Sequence, residues 1–365
     1  MPSYGFAYRR DRRLSERELV NQQVQFGLGT FGDVTVDENG APLSQAQVIR
    51  NVVAEGVLAD KLGVDYFGVG EHHRDDFAIT APETVLGALA AATTNIQLGS
   101  AVTVLSSDDP VRVYERFATV DALSNGRAEI ILGRGSFTES FPLFGYNLAD
   151  YETLFSEKLD LFSELIKEEP VTWSGTLRAG LNNQEVFPRT ESGSLKTWIG
   201  VGGSPESVVR AARYGMPLVL AIIGGQPERF APYAQLFHNA LAELGQPDLP
   251  IAVHSPGYIT DSDDRVVEEL WPHYKTMRDR IGRDRGWPES SVDEFIGEVK
   301  HGSMYAGSPE TVAQKIANTI SALGIQRFDM KYSAGTLPHE RMMRSIELYA
   351  TEVIPRVREL LAEKA

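Results

Sequence analysis

Leu62-Gly63-Val64-Asp65-Tyr66-Phe67-Gly68-Val69-Gly70-Glu71-His72-His73 is the stretch on which the reading of this 365-residue chain turns. Gly63 stands where a helix C-cap places a residue at positive φ. Tyr66 to Val69 is an apolar, aromatic run of strand character. Glu71, His72 and His73 follow where that strand stops. In parallel α/β architectures the carboxyl ends of the strands converge on one crevice, and chemistry is done there. The stretch therefore predicts a strand–helix repeat whose functional edge begins at Glu71.

The same rhythm runs outward in both directions. Phe26 to Gly29 suits a first strand, with Phe31, Gly32 and Asp33 in the loop behind it, and Val48, Val52, Val53, Val57 and Leu58 fall at helical spacing up to Gly63. Pro82 opens a helix through Val85, Leu86 and Leu89. Ile96 to Gly99 and Ala101 to Leu105 read as a third strand, and Val113, Phe117, Val120 and Leu123 stripe the next helix, closed by Asn125-Gly126. Ala128 to Leu132 is a fourth strand, followed by a helix over 151–169. Trp198 to Val201, Leu218 to Ile223, Ile251 to Ile259 and Phe328 to Tyr332 complete eight strands, each followed by a helical pattern. Eight alternating units predict a closed (β/α)8 TIM barrel of the α/β class, with a doubly wound open sheet as the alternative. The length exceeds the roughly 250 residues of a plain barrel. The excess falls in an N-terminal arm (1–23), a β-ribbon insertion (170–197, pairing Val171 to Gly175 with Glu185 to Phe187) and a charged segment (261–303). That last segment reads as a helical insertion or a mobile lid. With no linker in sight, the chain reads as a single domain.

Hydrophobic residues make up 42% of the chain, enough for a large core, and the formal charge of −15 argues against nucleic-acid backbone and anionic membrane partners. With no cysteine there is no disulfide, thiolate metal site or cysteine nucleophile. The N-terminus carries Arg9, Arg10, Arg12 and Arg13 without a signal-like apolar core, and the longest apolar run, Leu218 to Ile223, is too short to span a bilayer. The expectation is a soluble cytoplasmic protein with a solvated basic arm.

Two segments suit an anion. Gly202-Gly203-Ser204-Pro205-Glu206-Ser207 follows a strand, caps a helix with Ser204 and starts it with Pro205, which makes a natural phosphate seat of the helix N-terminus. Gly307-Ser308-Pro309-Glu310-Thr311 repeats the pattern and competes for the role. Arg134, in the glycine-flanked turn Gly133-Arg134-Gly135-Ser136, offers a planar fork for phosphate oxygens, or a surface ion pair. Adjacent His72 and His73 on extended chain point opposite ways, which disfavours a shared metal. An imidazole pKa near ~6.5 suits His72 to acid–base work; the alternative is a buried structural histidine. His254 on strand seven is placed to face the mouth, and Glu71 reads as a loop brace.

Glu71-His72-His73, Gly99 to Leu105, Pro110-Val111-Arg112, Leu123 to Arg127, Gly133-Arg134-Gly135 and Phe144-Gly145 form an ordered series. The series resembles the bacterial luciferase-like flavin-dependent monooxygenase family over roughly residues 24 to 335. The resemblance implies a (β/α)8 barrel holding FMN at its carboxyl face. It implies that Arg134, Ser136, Gly203, Ser204 and Ser207 lie about the phosphate, which favours the first of the two Ser-Pro-Glu segments. It implies a non-proline cis peptide at Ala101-Val102 beneath the flavin ring, and His72 as the catalytic histidine.

The implied activity is oxygenation of a small organic, aldehyde-like or otherwise apolar, substrate. Reduced FMN from a separate flavin reductase reacts with O2 through a flavin C4a-(hydro)peroxide, in a chain that is commonly a homodimer. The charged segment 261–303 falls where relatives carry a mobile cover. True luciferases have a cysteine at the position of Gly133, so light emission is not expected. An F420-dependent reductase or dehydrogenase of the same superfamily and a non-catalytic flavin-binding relative are the alternatives.

Overall fold

A computed structural model describes residues 24–37 and 39–364; the basic arm read over 1–23 lies outside the described residues. Eight parallel strands form the frame: β1 (Gln25–Thr30), β2 (Tyr66–Val69), β3 (Gln97–Ser100), β4 (Ala128–Gly133), β5 (Lys196–Val201), β6 (Leu218–Ala221), β7 (Ile251–Ile259) and β8 (Arg327–Lys331). Each pairs with the next, and β8 pairs back onto β1, with Gln25 opposite Arg327 and Gly29 opposite Lys331. The sheet is a closed barrel, so the open doubly wound alternative is excluded.

Every strand is followed by helix: α1 (Gln45–Lys61), α2 (Pro82–Ala92), α3 (Pro110–Ser124), α4 (Tyr151–Leu165), α5 (Pro205–Arg213), α6 (Ala231–Glu243), α7 (Pro309–Leu323) and α8. The last runs as His339–Leu348, a π-helical turn Tyr349–Val353 and Ile354–Lys364. Local chemistry sets the boundaries. Ser44, Asp109, Ser204 and Ser308 cap their helices through the side chain. Gly63 and Asn125 leave α1 and α3 at φ 79° and 55°. Among the described residues no helix is long and apolar enough to cross a membrane.

Alternation sorts the side chains. Phe26, Leu28, Phe67, Leu98, Ile130 and Leu132 face outward and build the main core against the helices. Tyr66, Ile131, Trp198, Val219 and Ala252 fill the barrel itself, with Val102 packed on them. Within that plug the Arg327 guanidinium is sandwiched 4.1 Å from the Tyr66 ring and 4.4 Å from the Trp198 ring, and pairs with Glu129 and Asp329.

The structure departs from the sequence reading in three places. The third strand breaks after Ser100 and resumes only as Thr103–Val104, paired to Leu132 and Gly133. The ribbon pairs Val171–Trp173 with Leu181–Gln184 rather than with 185–187. Its second strand exposes Asn182, Asn183 and Gln184, so it carries no apolar signal. A strand Tyr305–Gly307, unforeseen in the sequence, pairs with Gly257 to Ile259, because β7 outruns β8 and leaves a free edge above the barrel. The segment 261–303 is helical, as one of its two sequence readings had it: Val266–Glu269, Trp271–Arg285 and Val292–His301.

Candidate active site

Because all eight strands are parallel, their carboxyl ends share one rim. Five of the inward positions just below that rim are glycines: Gly29, Gly68, Gly99, Gly133 and Gly200. A Cβ on Gly29 would lie 2.8 Å from His254 Cε1, on Gly68 2.9 Å from Ala101 Cβ, and on Gly133 2.5 Å from Val102 Cγ2. The missing side chains let His254 and the Ala101–Val102 segment fold across the barrel, and leave a flat floor of the kind a planar ring needs. The Ala101–Val102 peptide is cis.

His72 stands on this floor inside an aromatic cage. Its ring lies 4.5 Å from Phe31, 4.6 Å from Phe77 and 4.9 Å from Phe137, centre to centre. Burial, reinforced by the Lys331 charge, lowers its pKa to about 3, so the imidazole is neutral at ordinary pH and the free-histidine value does not apply. His254 stacks on the other side of Phe31 at 6.1 Å. It is 8% exposed, burial lowers it to about 4, and its Nε2 has no partner among the described residues. Lys331 closes this side, 4.8 Å above the Phe31 ring, with Nζ 3.0 Å from both Asp33 oxygens.

His73 turns away. Its Nε2 lies 2.9 Å from Glu71 Oε1, and Glu71 Oε2 accepts from the Val104 amide at 2.9 Å. Glu71 is thus a brace between the loop after β2 and the break in the third strand.

Across the rim, α5 begins at Ser204, whose Oγ accepts from the Ser207 amide. Gly203 sits at φ 115°, a conformation costly for any other residue, and its carbonyl accepts from Tyr233 Oη at 2.8 Å. The Ser207 hydroxyl is buried and unpartnered among the described residues. Arg134 Nη1 and Arg210 Nη2 grip opposite oxygens of Glu152, at 2.7 and 2.6 Å. Two guanidinium groups, the N-terminus of α5 and an orphan hydroxyl make a seat for a dianion, at which the exposed Glu206 carboxylate now accepts from Ser204 Oγ at 2.8 Å and from its own backbone amide.

The competing helix start at Ser308 already has its anion. Asp263 accepts from the Ser308 amide at 2.6 Å and from Thr311 Oγ1 at 2.7 Å. Of the residues expected at the phosphate, Ser136 is exposed and contributes a carbonyl to Arg285 at 3.1 Å rather than a side chain to the seat. Arg210 was not anticipated. Its signal was available, since it follows Ser207 by one helical turn.

The turn after β4 joins the two halves. Arg134 reaches the phosphate seat, and Phe137, just beyond it, reaches His72. The helix Trp271–Arg285 ties together the loops after β2, β4 and β8. Asp284 pairs with Arg74 at 2.8 Å, Arg280 with Asp76 at 3.2 Å and also with Asp75, Arg285 with Ser136, and His273 with Thr336 at 2.8 Å.

Comparison with known proteins bears on the family and the fold. The family model described as luciferase-like monooxygenase matches residues 30–327. The chain belongs to that family. Family membership places it among the oxidoreductases. It is 23% identical to the alkanal monooxygenase alpha chain of Photorhabdus laumondii, over 90% of this chain and 98% of that one. Among solved structures, the barrel is similar to the FMN complex of the oxygenating constituent of 3,6-diketocamphane monooxygenase from Pseudomonas putida. That match has a TM-score of 0.76 at 18% identity, covering 92% and 98% of the two chains. It is also similar to the F420-dependent tetrahydromethanopterin reductase of Methanopyrus kandleri, with a TM-score of 0.69 at 19% identity, covering 92% and 99%. At these identities the structural matches speak for the fold.

Proposed function

We propose that this chain is an FMN-dependent monooxygenase that uses reduced flavin, supplied by a separate reductase, and O2 to oxygenate a small apolar organic substrate. The observation that carries this reading is the two-part site on one rim: a dianion seat at Arg134, Arg210 and α5, joined through the 134–137 turn to the His72 cage. Ser207 Oγ and His254 Nε2, unpartnered among the described residues, and the glycine floor fit a phosphate-bearing planar cofactor. Bound FMN supplies the activation of O2.

The chain's own residues do the rest. Arg134, Arg210, Gly203, Ser204 and Ser207 would hold the phosphate, which would replace Glu152 as the partner of the two guanidinium groups. Val102 and the glycines support the ring from below. His254 Nε2 is the inward polar atom available to it. Neutral His72 would hold a proton on one nitrogen and accept one on the other, inside the aromatic cage. Phe31, Phe77 and Phe137 exclude water and offer apolar surface to the substrate. The helix Trp271–Arg285 acts as the cover, anchored at its start by Trp271 and Tyr274 packed on the core and Phe295, and held to the rim along the rest of its length by ion pairs.

The test is isotopic. Purified protein with NADPH, a flavin reductase, FMN and ¹⁸O2, offered a panel of aldehydes and ketones, should place one ¹⁸O atom in a product. Oxygen-independent turnover with reduced F420, and none with reduced FMN, would establish the F420 reading instead. Tight FMN binding with no turnover on any compound would mark a flavin-binding protein.

A further inference from the structure

A buried hydrogen-bonded chain runs outward from the mouth between β1 and β8. Asp33, which holds Lys331, accepts from Ser333 Oγ at 2.5 Å; Ser333 accepts from Thr30 Oγ1 at 2.9 Å. On the far side Glu55 of α1 accepts from Tyr332 Oη at 2.6 Å and meets His339 Nδ1 at 2.7 Å. Between the two halves lies a cavity of about 10 Å³, lined by Thr30, Asp33, Thr35, Asn51, Glu55 and Ser333 among others. That is close to the room one water needs, and a polar lining is where buried waters are found. The Thr35 hydroxyl, 2% exposed, lines it without a partner among the described residues. Thr30, Asp33, Ser333 and Glu55 are sealed at 1 to 3% exposure, whereas the His339 side chain is 21% exposed, between α1 and α8.

We propose that Asp33, Ser333, Thr30, one water in this cavity, Glu55 and His339 form a proton relay between the barrel mouth and the outer surface of the barrel. A proton taken up by His339 from solvent passes to Glu55, and Glu55 gives it to the water. The water gives one of its own to Thr30, Thr30 gives its hydroxyl proton to Ser333, and Ser333 gives its proton to Asp33. Each intermediate group gains one proton and loses one, no electrons move, and Asp33 ends protonated beside Lys331. The resting hydrogen bonds already point this way, from Thr30 to Ser333 to Asp33. The charged groups facing His339 are Glu55 from α1 and Glu340 of its own helix, and both favour its protonated form. The use of such a relay rests on the monooxygenase reading, in which a covered site must exchange protons while excluding water. The relay itself is independent of flavin.

The experiment therefore uses cofactor-free protein labelled with ¹⁵N-lysine, with the Lys331 ammonium resonance assigned by its loss in Lys331→Arg. Hydrogen exchange of that buried ammonium should slow at least tenfold in Thr30→Val and stay at the native rate in Thr30→Ser, which restores the hydroxyl. Native-rate exchange in Thr30→Val, or equal slowing in both variants, overturns the relay. His339→Leu, at the exposed end, should slow exchange similarly even if Thr30→Val does not fold, and a native rate there overturns the proposal as well. Slowed exchange without ¹⁸O incorporation would leave the relay standing and refute the oxygenase reading; incorporation with unaltered exchange would do the reverse.

Discussion

The rings of His72 and Phe137 meet edge to face with centres 4.9 Å apart, joining the loop after β2 to the loop after β4. Arg134, at the start of that second loop, shares Glu152 with Arg210 of α5. One short turn thereby fixes the spacing between the proton-handling end of the site and its anion seat, and what disturbs Phe137 is felt at both.

His72 and His254 make the protein acid-labile. Both have native pKa values depressed by burial, to about 3 and about 4, whereas an unfolded histidine titrates near ~6.5. Below that pH the unfolded chain binds more protons than the native one. Each group then removes about 1.4 kcal/mol of stability per pH unit until its own native pKa is reached, and neither costs anything above neutrality. Urea unfolding at pH 7.5 and 5.0 should show this loss, and the His254→Asn variant should show a visibly shallower one.

Lys331 and Asp33 should behave as a buried couple. Lys331→Met leaves the Asp33 carboxylate sealed without its counter-charge and should destabilise the fold by about 3–5 kcal/mol. Adding Asp33→Asn to it should recover a large part of that loss. Equal destabilisation by the single and double variants, read from denaturant midpoints, would show that the ion pair is not what holds these loops.

Beyond its first turn the cover helix Trp271–Arg285 is held to the rim by ion pairs that each keep at least one partner in solvent, worth about 0.2–1 kcal/mol apiece and weakened by salt. Arg280→Ala, or half-molar sodium chloride, should speed tryptic cleavage within 271–289 by about 2–5-fold while leaving the melting temperature unchanged. A cleavage rate insensitive to both would mean that the helix is fastened by something else.

His72→Gln should separate binding from chemistry. The cage keeps its shape, so FMN affinity should stay within about threefold, while turnover should fall on the order of 10²–10⁴-fold, the usual worth of a positioned proton-transfer group. Unchanged turnover would make His72 a structural residue.

The frame was legible because its signal is local. Outward Phe26 and Leu28 alternating with inward Gly27 and Gly29 mark β1, and capping serines and prolines mark the starts of α5 and α7 in the sequence itself. His72 was legible for the same reason, as the residue just past a buried strand. What escaped depends on partners far apart in the chain. Nothing near residue 33 announces that it will hold Lys331, 298 positions later. Nothing in Ser308-Pro309-Glu310 shows that Asp263 already fills its helix start, although that contact disqualifies it as a phosphate seat. Arg210, one turn after Ser207, gains its place at the seat only because the fold brings Glu152 and Arg134 beside it. The ribbon strand Leu181–Gln184 and the added strand Tyr305–Gly307 owe their pairing to neighbours, not to their own composition.

The central claim, that a flavin phosphate is held between Arg134 and the start of α5, is tested most directly by comparing FMN with riboflavin, which has the same ring and no phosphate. Calorimetric titration of the native protein should show FMN bound at least about 100-fold more tightly, a difference of about 2.7 kcal/mol, as charge-assisted bonds to two guanidinium groups imply. Arg134→Ala should bring the two affinities within about tenfold of each other. Equal affinities in the native protein, or a ratio untouched by the substitution, would contradict the account.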